Sequence, residues 1–436
     1  MVRRVLLLPT TRRETTVVMT DLLFPLLPAS FYDSTPYLRH IRQAAHALRV
    51  APDAVLVATL CRVAAATPPT TYIDTPEPTP LNLIGALIAA PGNGKSLANS
   101  TAIRLVPDLG IGVNDSLPLG TGEGLVESYF ESVSVMNDTG KGKHIEKRQA
   151  FKSGYFYCDE GEKLFTLTTR KGATILQTLR TAWSGGVLGN TNANVETRRK
   201  LDRNSYRACV VVAFQPSCGS ALVADSHGGT PQRFIFASAT DKDMPTIAPS
   251  LPGVLAYDAT DEPIAIQVHT EILRELDTNK VNRARGTVQI DALDTHVDYN
   301  RIRIAALFAL LDHRRYIDLS HWNSATMVLD NSKQVRRTLD QWATLNRRDE
   351  VNAQENERDY IDGQRETNKH TRNVNRLVDN LVRMVERSPG ELTQPQALSR
   401  LRIDRYQVTS DEIMSAVMAT NRIELKDKRL CLRHKT

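Results

Sequence analysis

Apolar positions change their rhythm twice along this chain. From Asp21 to about Pro80 they fall at helical spacing: residues 37–48 carry an apolar stripe, and residues 52–66 predict a second, more hydrophobic helix. Residues 67–80, rich in Pro and Thr, read as a linker. From Leu81 to about Thr240 the text becomes short apolar or aromatic runs bounded by polar or glycine-rich stretches. Residues 83–89, 154–158, 208–214 and 233–237 predict buried strands, and 264–268 an edge strand. Strands alternating with helices in this way predict an α/β layer with a largely parallel sheet.

Helical spacing then returns. Residues 301–311 predict a well-packed helix, and Ser320 the cap of another at 321–330. Residues 331–376 are very polar, with Val335, Leu339, Trp342 and Leu345 as a thin apolar stripe; they predict an exposed connecting helix or a partly mobile linker. An amphipathic helix at 373–387 ends at Ser388-Pro389-Gly390. Thr393 is the expected cap of a helix at 394–401 and Ser410 of one at 411–419. A hairpin follows, strands 422–425 and 428–432 with its turn at Lys426-Asp427. Three helices and a hairpin in so short a stretch match the winged-helix plan. No internal repeat or low-complexity tract interrupts the pattern.

Composition narrows the class. The 436 residues are 41% hydrophobic and 24% charged, enough apolar material for a real core and length enough for two or three domains. Lys plus Arg is 55 against 49 Asp plus Glu, a net charge of +6. That balance is compatible with a nucleic-acid partner without establishing one. Five scattered cysteines, with no CxxC pair, lack the ligand spacing of a zinc site, and their odd number fits a reducing compartment. The apolar run before Pro9 is too short for a signal peptide, and no stretch has the apolar length of a membrane span. The expectation is a cytoplasmic protein with no membrane partner.

Chemistry enters at Ala89-Ala90-Pro91-Gly92-Asn93-Gly94-Lys95-Ser96, between a predicted strand and a predicted helix. Gly92 and Gly94 let backbone N–H groups turn toward phosphate oxygens, and the helix N-terminus adds its dipole. Lys95 supplies a point charge for the β- and γ-phosphates of ATP, and the Ser96 hydroxyl a ligand for Mg²⁺. Ala89 replaces the commoner Gly at the first position. A P-loop needs an acidic partner. Asp159 and Glu160 end the strand at 154–158, the first suited to hold Mg²⁺ through water, the second to polarise the attacking water. Gln215 ends the next strand and is the candidate sensor of the γ-phosphate. Arg233, behind Gly228-Gly229-Thr230-Pro231, is the candidate arginine finger, reaching a neighbour's γ-phosphate.

The order of these motifs resembles that of the phage and actinobacterial primase-associated ATPases, relatives of the superfamily-three helicases among ring-forming P-loop proteins. The residues that carry the resemblance are Phe31-Tyr32-Asp33-Ser34, the phosphate loop, residues 118–124 (PLGTGEG), Tyr157-Cys158-Asp159-Glu160, residues 179–183 (LRTAW), Ala213-Phe214-Gln215-Pro216 and residues 229–234 (GTPQRF). The match runs from about Phe31 to Leu345.

The resemblance implies a ring, commonly a hexamer, with ATP between subunits, serving DNA replication of a phage or other mobile element. It also implies that residues 185–203 include a hairpin lining a central channel, where Arg198, Arg199, Lys200 and Arg203 would track single-stranded DNA. No catalytic primase motif is evident before Ala89, so a priming activity would lie on a separate primase or polymerase. At the C-terminal end Lys426, Lys428 and Arg429 on the wing, with Arg402 and Arg405, are the expected contacts to duplex DNA.

The expected architecture is a helical region and linker at 1–80, a P-loop ATPase core at 81–295, a helical lid and connecting helix at 296–370, and a winged-helix DNA-binding domain at 371–436. The expected activity is ATP-driven DNA unwinding or translocation. The alternative is an initiator that binds an origin and uses ATP as a switch. A small-molecule P-loop kinase is disfavoured, because nothing resembles an acceptor site or a nucleotide-monophosphate lid.

Overall fold

The computed structural model describes residues 24–110, 112–136, 143–168, 173–190, 199–225, 228–257 and 263–433. The opening segment with its short apolar run and the hairpin residue Arg198 lie outside the described residues. The chain divides into two compact units, Met1–Leu345 and Asn346–Thr436.

Proline and capping chemistry set the first helices, α1 (Ala29–Asp33), α2 (Pro36–Ala47) and α3 (Pro52–Ala66). Thr35 accepts the Leu38 N–H at 3.3 Å, and Pro36 and Pro52 occupy first-turn positions where no N–H is needed. Helix α3 is apolar on nearly every side, and all but its last residue is buried.

The middle of the chain mixes strands and helices, with the predicted strands among them: β1 (Tyr72–Ile73), β2 (Leu83–Ile88), α4 (Lys95–Leu105), β3 (Val113–Pro118), α5 (Gly122–Glu127), β4 (Phe130–Met136), β5 (Lys143–Gln149) and β6 (Ser153–Cys158). It continues with α6 (Gly161–Thr168), α7 (Ile175–Ser184), β7 (Leu188–Asn190), β8 (Arg199–Leu201), β9 (Arg207–Phe214), α8 (Pro216–Ala224) and β10 (Phe234–Ser238). Five strands form one parallel sheet in the order β10-β2-β9-β6-β3. Side chains alternate across it. Leu83, Leu87, Cys209 and Val211 join one core with α1 to α4, while Ile84, Ile88, Val210 and Val212 join a second with α5 to α8. A parallel sheet covered on both faces is the stable solution for strands this apolar.

Beyond the sheet lie β11 (Ala265–Val268), α9 (Thr270–Ala284), α10 (Val297–Leu311), β12 (Tyr316–Ile317) and α11 (Leu319–Arg387). Strand β11 is the centre of a small parallel sheet, β1-β11-β12, rather than an edge of the main one. The stretch read as a linker at 67–80 therefore contains a strand, β1. Helix α3, the main sheet and α10 share one hydrophobic core. Ser320 does not cap α11. The Asp318 carboxylate accepts the Ser320 and His321 N–H groups at 2.9 and 3.0 Å, being the residue just outside the helix. The polar stretch 331–376 is helical throughout and continuous with the amphipathic segment after it.

In the second unit, the end of α11 packs with α12 (Gln394–Leu401), α13 (Ser410–Ala419) and the hairpin β13 (Ile423–Lys426) and β14 (Arg429–Leu432) around Leu381, Val385, Ala397, Ile413, Val417 and Leu430. The cap of α13 is Thr409, not Ser410. Thr409 N–H donates to Glu412 Oε2 at 2.8 Å and Glu412 N–H to Thr409 Oγ1 at 3.3 Å, a reciprocal box that Ser410 is one residue too late to make. The hairpin turn is Asp427-Lys428 rather than Lys426-Asp427. Both have positive φ (47° and 64°), the geometry of a tight two-residue connection.

Candidate functional site

Parallel strands all deliver their following loops to one edge of the sheet. Strands β2, β9 and β6 are neighbours, with Ile88 opposite Phe214 and Cys158 opposite Val212. The loop after β2, Gln215 after β9 and Asp159-Glu160 after β6 therefore emerge side by side. At about 4.8 Å per strand, the outer two are roughly 10 Å apart. They line a cavity of about 590 Å³ whose walls include Pro91 to Leu97, Asp159, Glu160, Gly161, Glu162, Ala213, Gln215 and Cys218. That volume lies within the range of small-molecule sites.

Each wall has a local cause. Gly92 and Gly94 sit at φ 79° and 77°, and Gly94 is the N-cap of α4. The α4 N-terminus and the loop's N–H groups thus border the cavity, a favourable setting for an anion. Ala89 N–H donates to Phe214 O at 3.2 Å, pinning the loop's start to the central strand. Gly161 opens α6 because a Cβ there would stand 2.1 Å from the Phe214 ring.

Lys95 Nζ donates to the carbonyls of Ala89 and Ala90 at 2.7 and 2.8 Å, and partial burial lowers its pKa. Beside the opposite wall, Lys163, the third residue of α6, lies 3.0 Å from Asp159 Oδ1 and 3.4 Å from Glu160 Oε2. Its hydrogen bond holds the Asp159 carboxyl below the usual carboxylate range. The Tyr157 hydroxyl is shut from solvent beside Ser96, and burial pushes its pKa up. Lys163 was missed from sequence, although its spacing of three and four from the two carboxylates is a readable signal.

Ala89 precedes the cavity as the buried end of the β2 connection. Arg233 does not reach the cavity. It sits before β10, where Phe234 pairs with Ile84, at the other edge of the sheet. There its guanidinium donates to Gly229 O and lies over the Trp183 ring, with burial lowering its pKa to about 10.

Within 185–203, where the channel hairpin is expected, the described residues form the antiparallel pair β7–β8; residues 191–198 between them lie outside the described residues. Its described cations all have carboxylate partners: Arg199 with Glu127, Lys200 with Asp202 at 2.6 Å and Arg203 with Glu77. The antiparallel ribbon β4–β5 went unanticipated, and it is joined to that hairpin through Glu127, which also accepts from Lys147 at 2.5 Å. At the C-terminal hairpin Lys426 pairs with Glu424 at 2.7 Å and Arg429 donates to Gly390 O at 3.2 Å. Lys428, Arg402 and Arg405 are exposed.

Among the described residues no helix is long and apolar enough to cross a membrane. The sequence matches no protein-family model and no curated protein.

Proposed function

We propose that this chain binds Mg²⁺-ATP in the cavity beside Lys95 and hydrolyses it as the motor of an oligomeric assembly acting on DNA. One observation carries the reading: adjacent strands bring a glycine-turned loop with Lys95, the carboxylates Asp159 and Glu160, and Gln215 to one cavity. The P-loop assignment rests on the same loop, with its two left-handed glycines ahead of α4.

The residues fit the cation as well. Ser96 and Asp159 both line the cavity, a hydroxyl-bearing and a carboxylate residue, so a cation there would have few protein ligands. Mg²⁺ is commonly held this way, by a carboxylate and a hydroxyl together with waters and phosphate oxygens. Ser96 and Asp159 would hold it, and bound there it would neutralise charge on the phosphates. Lys95 leaves its two loop carbonyls to meet the β- and γ-phosphates. Glu160 takes the proton of the attacking water as the new O–P bond forms and the β–γ bridge breaks. Gln215, between the two walls, orients that water or the γ-phosphate. Arg233, at the far edge, is proposed to serve a neighbouring subunit's nucleotide.

The DNA part of the reading is supported by the order of motifs, by the β7–β8 hairpin and by the compact C-terminal unit. Three helices and a basic two-stranded hairpin there suit a winged-helix contact with duplex phosphates. Glu160→Gln tests the site. It should keep nucleotide affinity within about threefold and lower hydrolysis on the order of 10² or more, read by titration and phosphate release. Full hydrolysis by that variant would rule out Glu160 as the base. Strand displacement on forked DNA separates a helicase from a slowly hydrolysing initiator.

A further inference from the structure

Two sequence motifs far from the cavity meet at the opposite edge of the sheet. Arg180 of α7 donates to Thr230 Oγ1 at 3.0 Å, in the turn that carries Arg233. Trp183, one turn further along α7, has the Arg233 guanidinium 5.1 Å from its ring and that of Arg303 at 4.0 Å. Behind them lies Arg207. Arg207 and Arg303 are both fully buried, donating to backbone carbonyls that include Thr71 and Asn82.

Among the described residues none of these four guanidiniums is ion-paired. Their charges act on one another. Burial and then Arg180 depress Arg233, while burial and then Arg207 depress Arg303 to about 9. Burial and then Arg233 lower the neighbouring His296 to about 4, so it stays neutral and adds no further positive charge. Accumulated like charge costs stability, and such a cost commonly marks a site that receives a counter-charge. The two inner guanidiniums are shut from solvent, although Arg303 Nε too has no hydrogen-bond partner. Arg180 and Arg233 are only half-buried, and Arg233 Nε has no hydrogen-bond partner.

The phosphate cavity has the complementary deficit. Its walls carry three carboxylates, Asp159, Glu160 and Glu162; Lys95 is the one cation among the described lining residues, and Lys163 of α6 is already paired with Asp159 and Glu160. Among the described residues no guanidinium lines it to meet charge growing on a transferring phosphoryl group. The strand length of β2, about 20 Å, separates it from its own chain's arginines.

We propose that Arg180 and Arg233 form a single anion-receiving pair whose ligand is the terminal phosphate of ATP bound to a second copy of this chain. The proposal rests on the ATPase reading and adds Arg180 as a necessary partner of Arg233. Thr230 holds one guanidinium and the Trp183 ring the other, and two neighbouring guanidiniums suit phosphoryl oxygens.

Subunit mixing in the full-length chain tests it. Arg180→Ala should bind a fluorescent ATP analogue as wild type does and hydrolyse ATP on the order of 10² slower. Adding Lys95→Ala subunits, inert themselves, should restore hydrolysis by supplying an intact pair in trans. Adding Arg233→Ala subunits should restore none, because the pair acts as one element. Arg180→Gln, which keeps a donor for Thr230, should melt like wild type and be equally slow. Wild-type hydrolysis by Arg180→Ala or Arg180→Gln would overturn the pair, as would rescue by Arg233→Ala or no rescue by Lys95→Ala. A wild-type chain that fails to bind ATP would instead contradict the ATPase reading on which the pair depends.

Discussion

Asp53 shows how one residue's surroundings control its charge. The carboxylate is buried at the second position of α3, accepting from Tyr32 Oη at 2.7 Å, Leu27 N–H at 3.0 Å and Asn331 Nδ2 at 2.8 Å. Burial outweighs those donors and lifts its pKa to about 6. A folded pKa above the unfolded value means the native state holds its proton more tightly. The resulting stability is complete below the unfolded pKa of about 3.9 and is lost as pH rises through 6. The stability of wild type minus that of Asp53→Asn should therefore fall by up to about 3 kcal/mol between pH 4 and 6, then level off. Urea denaturation of both proteins across that range measures it, and a difference that grows with pH would contradict the account.

Single residues were also where sequence reading missed most. A cap depends on which oxygen reaches which N–H, and Thr409 and Asp318 won over the neighbouring serines by one or two positions. Lys163 was passed over because its importance depends on the two carboxylates being held just ahead of its helix.

At the scale of elements, apolar runs were a dependable guide. The four strands buried on both faces, β2, β6, β9 and β10, were legible to within a residue or so, because each is a solid apolar or aromatic run. The fifth, β3, was not: Val-Asn-Asp-Ser-Leu-Pro at the sheet's edge has no run to read. Ribbon β4–β5 escaped for the same reason, its pairing being visible only across the turn. The packing of α3 on the sheet depends on Gly85, where an added Cβ would meet Val57 Cγ1 at 2.6 Å. Gly85→Ala should cost about 1–3 kcal/mol by overpacking, and a second change, Val57→Ala, should recover part of that loss. Equal stability of Gly85→Ala and wild type in thermal melts would mean that α3 can back away from the sheet.

At the scale of the molecule, the sequence located the cavity's walls but not their separation from the arginines. Loop, carboxylates and Gln215 were each recognisable, and parallel strand order then put them together at one edge. Which edge Arg233 occupies follows only from strand direction, and the four-guanidinium cluster only from tertiary packing. The C-terminal unit was readable as a pattern of three helices and a hairpin, since its apolar residues form a core of their own.

The central claim is that the loop around Lys95 holds the phosphates of ATP. Calorimetric titration of Mg²⁺-ATP into the wild-type chain and into Lys95→Ala tests it most directly. Wild type should bind, and removing the loop's one cation should weaken binding by about 100-fold, the equivalent of about 3 kcal/mol for a charge-assisted contact. Equal affinity in the two proteins, or no binding by wild type, would contradict it.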